Sequence, residues 1–277
     1  MNNQPSWWSV HFFPKAEQND FLTGAFHAFI AQHIWPHTGR RSFFIRYGDQ
    51  SGPHLRLRFR GETAWLENEL KPAFEQHFAE EGQWIEYAYE AEPDRFGGRE
   101  ALPWAEEHFH ISTRVALDRL ARPQYGYGDV LFDALRMQYS AAYTAGFSGK
   151  ALSDYFHQLS EQWIKAFFSP SDPANTDSES LCEAVRSDFG ETLAPQREFI
   201  QDALLQFEEA LSQQQFDPKQ PEWLRWLRGN EIVFQGLDQH RLHAMPALLH
   251  LNNNRLGVNN QDEAYLLYML AECAPVL

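Results

Sequence analysis

A chain of 277 residues, 43% of them hydrophobic, carries enough apolar surface for one large domain or two small ones, which excludes disordered and collagen-like classes. With 23 Lys and Arg against 38 Asp and Glu the formal net charge is -15, so nucleic acid is not expected as a direct partner unless a local basic patch overcomes the general repulsion. The 22 Phe, 10 Tyr and 9 Trp put much of the burial into large rigid rings, which suit a core and the wall of a peptide cleft equally.

Residues 7–13 (WWSVHFF) mix aromatic and β-branched positions and stop at Pro14, the pattern of a short opening strand. From Asp20, the spacing of Phe21, Leu22, Ala25, Phe26, Phe29, Ile30 and Ile34 predicts an amphipathic helix that ends before Pro36. SFFIRY (42–47), the turn GDQSGP and HLRLRFRG (54–61) then read as a β-hairpin. Strand side chains alternate, so the second arm sets His54, Arg56, Arg58 and Arg60 on one face and Leu55, Leu57 and Phe59 on the other.

A helix over 63–80 with Leu66, Leu70, Phe74 and Phe78 on one stripe follows, then a strand over 83–89. The order β, α, β, β, α, β predicts an α+β fold, a mixed or antiparallel sheet with helices packed on it. Pro93, Gly97 and Gly98 break the pattern before a helix over 100–120. The rest reads mostly helical, most clearly over 130–145, 154–168 and 193–211, and the polar SPSDPANTDSES (169–180) is the expected mobile loop. No repeat and no clean linker separate the α/β-rich 1–120 from the helical 121–277, so a single domain is expected.

A Gly-rich phosphate loop, HExxH, CxxC and GxSxG are all missing, which removes the usual support for nucleotide hydrolysis, zinc proteolysis and the common serine hydrolases. Cys182 and Cys273 have no metal-ligand spacing and read as buried free thiols of a reducing compartment. His108 and His110, two apart on a helix, diverge by roughly 200° and are expected to serve surface or packing roles, not a joint metal site. Trp223 and Trp226 read as helix packing. The opening MNNQPSWWSVHFFPK has neither a basic start nor a long apolar run, and no apolar stretch reaches the roughly 18 residues of a membrane span, so a soluble cytoplasmic protein is expected.

At SFFIRYGDQSGPHLRLRFRG the chain resembles the C-terminal, glutamate-eliminating domain of class I lantibiotic dehydratases, also found as a separate protein in thiopeptide-type bacteriocin pathways. EPDRFGGREALPWAEEHFHISTRVAL (92–117) resembles that family's acidic, Arg, aromatic, Gly, Gly block, and LLHLNNNRLG (248–257) its closing His and Asn-Arg-Leu segment. The three blocks occur in the family's order, so the resemblance spans about the whole chain. It implies removal of glutamate from glutamylated Ser or Thr of a precursor peptide, giving dehydroalanine or dehydrobutyrine. It further implies a precursor-peptide substrate and a separate glutamyl-tRNA-dependent glutamylating protein, and it is compatible with a homodimer. A relative of the same fold forms a pyridine ring from two dehydroalanines by a formal [4+2] cycloaddition, which is the alternative activity. A non-catalytic subunit that docks precursor peptide is a third.

The requirements of β-elimination can be set beside the residues. A glutamate esterified through its α-carboxyl keeps a side-chain carboxylate and an ammonium, so a selective pocket needs a cation and an anion. Arginine suits the first because its planar fork binds a carboxylate through two parallel bonds. Arg56, Arg58 and Arg95 supply the cation type and Glu92 the anion, and Arg56 or Arg58 is expected on the side-chain carboxylate. The match to the family motif places Arg56 and Arg58 at its strand arginines, Glu92 and Arg95 at its acidic and Arg positions, and His250 at its closing histidine. The reaction also needs a base or acid, and among these residues only His250 is of a type suited to either task near neutral pH, so that work is expected of it first. The reading open for each residue without the resemblance is blander: an exposed arginine face balanced by surface carboxylates, a local Glu92–Arg95 ion pair, and a hydrogen-bonded core His250. Asn254 and Arg255 are expected to anchor the loop after the last motif helix, with a substrate-binding role for Arg255. The chemistry calls for no metal or organic cofactor.

Overall fold

The structure, a computed structural model, describes residues 5–168 and 178–275. Four antiparallel strands, β1 (Pro5–Pro14), β2 (Arg41–Asp49), β3 (Gly52–Glu62) and β4 (Gly82–Glu86), form one sheet in the order β2-β3-β1-β4. Helix α1 (18–33) joins β1 to β2 and helix α2 (63–78) joins β3 to β4, the split βαβ arrangement of an α+β fold. Each of the two helices contains a π-helical turn, Leu22–Phe26 and Leu66–Leu70.

Alternation along the strands sends Trp8, Val10, Phe12, Phe44, Leu55, Leu57 and Phe59 to one face, where they pack with Phe21, Phe26 and Phe29 of α1 and Leu70, Phe74 and Phe78 of α2. Phe12 stacks on Phe21 at 4.4 Å and Phe74 meets Phe78 at 4.5 Å, so the aromatic content is spent largely on this core. The other face carries the arginines. In register, Arg58 lies between Ser9 of β1 and Phe43 of β2, and Arg56 between His11 and Ile45.

The chain divides into two compact units, residues 1–125 with 236–257, and residues 126–235 with 258–277. The expected change of character near residue 120 lies close to the first boundary, but a late segment rejoins the α/β part. That segment is a helix, Arg241–Leu256, which packs in the first unit on helix α3 (Leu102–Leu120) and on β2. Asn254 fixes it there: its Nδ2 donates to the carbonyl of Arg46 and its Oδ1 accepts from the Arg46 N–H, both at 2.9 Å. The anchor expected at Asn254 therefore acts inside the helix, not in the loop beyond it.

The second unit is helical, as expected, with α4 (Tyr127–Thr144), α5 (Gly149–Phe168), α6 (Ser178–Leu193), α7 (Arg197–Gln213), most of α8 (Pro221–Leu237) and, after α9 (Arg241–Leu256) of the first unit, α10 (Asn260–Cys273). Trp226 is buried and donates to the Ser140 hydroxyl at 2.8 Å, a packing role. Cys182 and Cys273 are buried. The loop expected over 169–180 lies outside the described residues, apart from Ser178 to Ser180, which open α6. Among the described residues no helix is long and apolar enough to cross a membrane.

Candidate functional site

A cavity of about 280 Å³ opens on the arginine face of the sheet. Its wall takes Arg56 and Arg58 from β3, Phe43, Arg46 and Tyr47 from β2, Glu92 and Arg95 from the segment after β4, and His250 and Asn254 from α9. The five side chains Arg56, Arg58, Glu92, Arg95 and His250 thus line one cavity, although they lie in three separate stretches of sequence. The volume sits at the low end for small-molecule sites and admits one amino-acid-sized group rather than a length of peptide.

Arg58 is only 6% exposed. Its guanidinium donates to the carbonyls of Leu57 at 3.1 Å and Val10 at 3.4 Å and meets no carboxylate. Burial first, and then the neighbouring Arg56 charge, push its pKa down to about 10. The Arg56 guanidinium stacks 3.3 Å from the centre of the Tyr47 ring, while its buried Nε has no hydrogen-bond partner. A guanidinium stacked by its face keeps its edge N–H groups directed in its own plane, the geometry that receives a carboxylate. Arg46, absent from the expected set, joins them: its donors go to the Arg255 carbonyl and the Asn19 side chain, and burial alone lowers its pKa to about 10. Among the described residues none of the three is ion-paired. The blander expectation, an exposed arginine face neutralised by surface carboxylates, does not hold for Arg56 and Arg58.

Glu92 and Arg95 form the local ion pair that their spacing suggested, at 2.9 Å, in and before the short 3₁₀ turn Pro93–Phe96. Both are substantially exposed, so the pair contributes under about 1 kcal/mol and is easily opened by a charged ligand. The turn is held from behind, where His243 bonds the Asp94 carbonyl at 2.8 Å and the Phe96 ring packs on Phe109 at 5.3 Å. Gly97 has φ +97°, and a Cβ there would come within 2.8 Å of the His240 ring, so only glycine fits. Its backbone role is as expected.

His250 is half-buried and lines the cavity rather than the core. Arg255 does not line it. Five residues further along the same helix it is turned about 140° away from His250, given 3.6 residues per turn, whereas Asn254, four residues on, stays on the cavity side. Arg255 is fully buried, donates to Leu251 O at 3.0 Å, and holds its guanidinium 5.0 Å from the Phe109 ring and 5.8 Å from Phe43. It backs two wall residues of the cavity and is not itself among the lining residues, so this placement fits a supporting role and lends the expected substrate-binding role no support.

The expected strand over 83–89 is shorter, ending at Glu86. After one further ladder bond from Tyr87 N–H to Ser9 O at 3.0 Å, the chain leaves the sheet and lays Tyr89 over the arginine face, 5.0 Å from Trp7 and 5.9 Å from the Arg58 guanidinium. Beside it His11 stacks between Tyr87 at 4.0 Å and His54 at 4.7 Å. Burial, then His54, Arg56 and Arg58, lower the His11 pKa to about 4, so it adds no charge to the site near neutral pH. His108 is buried in α3 and His110 partly buried there, its Nδ1 3.2 Å from the Ser42 backbone, placements that fit packing roles, and among the described residues no cluster of His, Cys, Asp or Glu is arranged to hold a metal ion.

No curated protein matches the sequence. Solved structures do. The tRNA-dependent lantibiotic dehydratase MibB from Microbispora sp. 107891 is matched over 97% of this chain at 20% identity and TM-score 0.64, and the chain spans only 28% of that protein's length. The pyridine synthase TbtD of thiomuracin biosynthesis is matched over 96% of this chain and 97% of its own, at 17% identity and TM-score 0.68. TsrL is matched over 98% and 94%, at 18% identity and TM-score 0.67. At such identities these likenesses establish the fold. The profile of one family, however, matches residues 7–274, nearly the whole sequence, and the chain belongs to the lantibiotic biosynthesis dehydratase C-terminal family.

Proposed function

We propose that the 277 residues act as one glutamate-elimination domain, a lyase that expels glutamate from glutamylated Ser or Thr of a precursor peptide during maturation of a ribosomal peptide natural product. The observation that carries this reading is that Arg56 and Arg58 line a small cavity without a carboxylate partner in a protein of net charge -15. An unpaired buried cation is costly to keep, and a ligand carboxylate is its natural counter-ion.

In the proposed reaction Arg56 or Arg58 takes the side-chain carboxylate of the esterified glutamate through paired hydrogen bonds, and Glu92 exchanges Arg95 for the glutamate ammonium. His250, from α9, exchanges the proton. A base removes the α-proton of the modified residue, its electrons form the Cα=Cβ double bond, and the Cβ–O bond breaks so that glutamate departs as a carboxylate. The second strand arginine opposes the charge that develops during the step. Arg255 supports the wall behind Phe43 and Phe109. These steps use only this chain's own side chains. A glutamylating activity that reads glutamyl-tRNA would lie outside these residues, consistent with their acidity, in a cytoplasmic setting, and a homodimer is compatible with the reading.

The full-length match to TbtD favours a second reading, formal [4+2] cycloaddition of a bis-dehydroalanine peptide, which handles no glutamyl group and has no use for the charged set. A docking subunit without chemistry would tolerate loss of His250. Purified protein, supplied in parallel with a synthetic O-glutamyl-seryl peptide and a bis-dehydroalanine peptide and followed by mass, separates the three. Loss of glutamate from the first with no change in the second supports elimination, ring closure of the second overturns it in favour of cycloaddition, and inertness towards both leaves docking.

A further inference from the structure

Behind the Tyr89 ring lies a carboxyl group that the proposed chemistry does not use. Glu106, on α3, is 9% exposed and does not line the cavity, yet it accepts a hydrogen bond from the Tyr89 hydroxyl at 3.0 Å. Arg60 of β3 and Trp7 of β1 also act electrostatically on this carboxyl. Burial pushes the Glu106 pKa up, while the Tyr89, Arg60 and Trp7 contacts hold it down. Tyr89 itself is held protonated, raised by burial and by the Glu106 charge, so the phenol serves as a donor and not as a base.

The position of this bond in the chain gives it a consequence. After the last ladder contact of Tyr87 the backbone makes no internal bond until Arg95 N–H reaches Glu92 O at 3.1 Å. Among the described residues the Tyr89 hydroxyl is the sole hydrogen bond that ties residues 88–91 to the rest of the unit. Glu90 and Glu92, on the cavity wall, are therefore carried by a stretch fixed at its far end by Gly97 and Asp94 and at its near end by Tyr89.

We propose that Glu106 is a positioning residue that acts through the Tyr89 hydroxyl to hold the 87–96 segment, and with it Glu92 and Arg95, against the cavity. The link to substrate rests on the elimination reading; the clasp itself does not. Tyr89→Phe keeps the ring packing and deletes only the donor. It should raise KM for the glutamylated peptide about five- to tenfold, the order of one ordinary intramolecular hydrogen bond, with kcat within about twofold. It should also increase amide hydrogen exchange over 87–96 while leaving exchange in β1 and β3 unchanged. Glu106→Ala should reproduce both effects, whereas Glu106→Gln, whose carbonyl still accepts the phenol proton, should stay within about twofold of wild type in both. A role in general packing alone would leave Tyr89→Phe, which keeps the ring in place, like the wild type in both measurements. Wild-type KM and wild-type exchange in Tyr89→Phe overturn the proposal, as does faster exchange with no change in KM. If the wild-type protein turns over no glutamylated peptide, the elimination reading falls and the exchange of 87–96 in Tyr89→Phe alone decides the clasp, faster supporting it and unchanged refuting it.

Discussion

Arg58→Met should make the protein slightly more stable and nearly inactive. Methionine keeps the unbranched stem along the β3 face and removes the charge. Arg58 is 6% exposed, and its pKa falls from 12.5 to about 10 through burial and the Arg56 charge. A depression of that size corresponds to about 3 kcal/mol of unfavourable interaction for the charged form. Against it stand two hydrogen bonds to the Leu57 and Val10 carbonyls, at 3.1 and 3.4 Å, together worth about 2 kcal/mol. The balance is a gain of about 1 kcal/mol on substitution, a rise of roughly 2–4 °C in Tm for a unit of this size. Loss of a paired hydrogen bond to a buried carboxylate, about 3 kcal/mol, should lower kcat/KM for a glutamylated peptide by about 100-fold. Thermal unfolding followed by circular dichroism, beside a turnover assay on the same preparation, reads both numbers. A variant destabilised by more than about 1 kcal/mol would show that the guanidinium holds the fold together, and the argument from its unpaired charge would fail.

His250→Ala should cut kcat by about 10²- to 10⁴-fold with little change in KM, so that glutamylated peptide accumulates in a mass assay; an unchanged kcat removes it from the proton transfer. Gly97→Ala should cost about 2–3 kcal/mol, since an L side chain at φ +97° is strained and its Cβ meets His240, and urea unfolding with an unaltered midpoint would refute this. The His11 imidazole should titrate near 4 rather than 6.5 in an NMR pH series, and Arg56→Ala should raise that midpoint. Because the folded value lies below the unfolded one, the unfolded chain binds more protons between about 6.5 and 4, and stability should fall as pH drops through that window.

Much of the fold was legible because its signals are local. Period-two alternation in HLRLRFR separates arginines from Leu55, Leu57 and Phe59, and the stripe of Leu66, Leu70, Phe74 and Phe78 marks a helix against the same sheet. Arg56, Arg58, Glu92, Arg95 and His250 came from the family resemblance, and the cavity brings them together. Arg255 stands apart from the rest of the motif: helical rotation separates it from His250, and it is buried behind the cavity wall. Arg46 escaped notice because register pairs it with Leu55 on the opposite face from Arg56 and Arg58, and it borders the cavity where α9 is tied to β2. Tyr89 escaped because WIEYAY continues a plausible strand alternation; nothing local marks Glu86 as its end. The return of 236–257 to the first unit is likewise a matter of long-range packing, with no composition change to announce it.

In the elimination reading, Arg56 and Arg58, which have no internal carboxylate partner, await the side-chain charge of an acidic amino-acid ester. The most direct measurement compares turnover of one peptide carrying either a glutamyl or a glutaminyl ester on the same serine, a pair that differs by a charge and hardly at all in shape. The expected kcat/KM is at least about 100-fold higher for the glutamyl ester, falling towards parity in Arg58→Met. Equal elimination from both esters, or from neither, would contradict it.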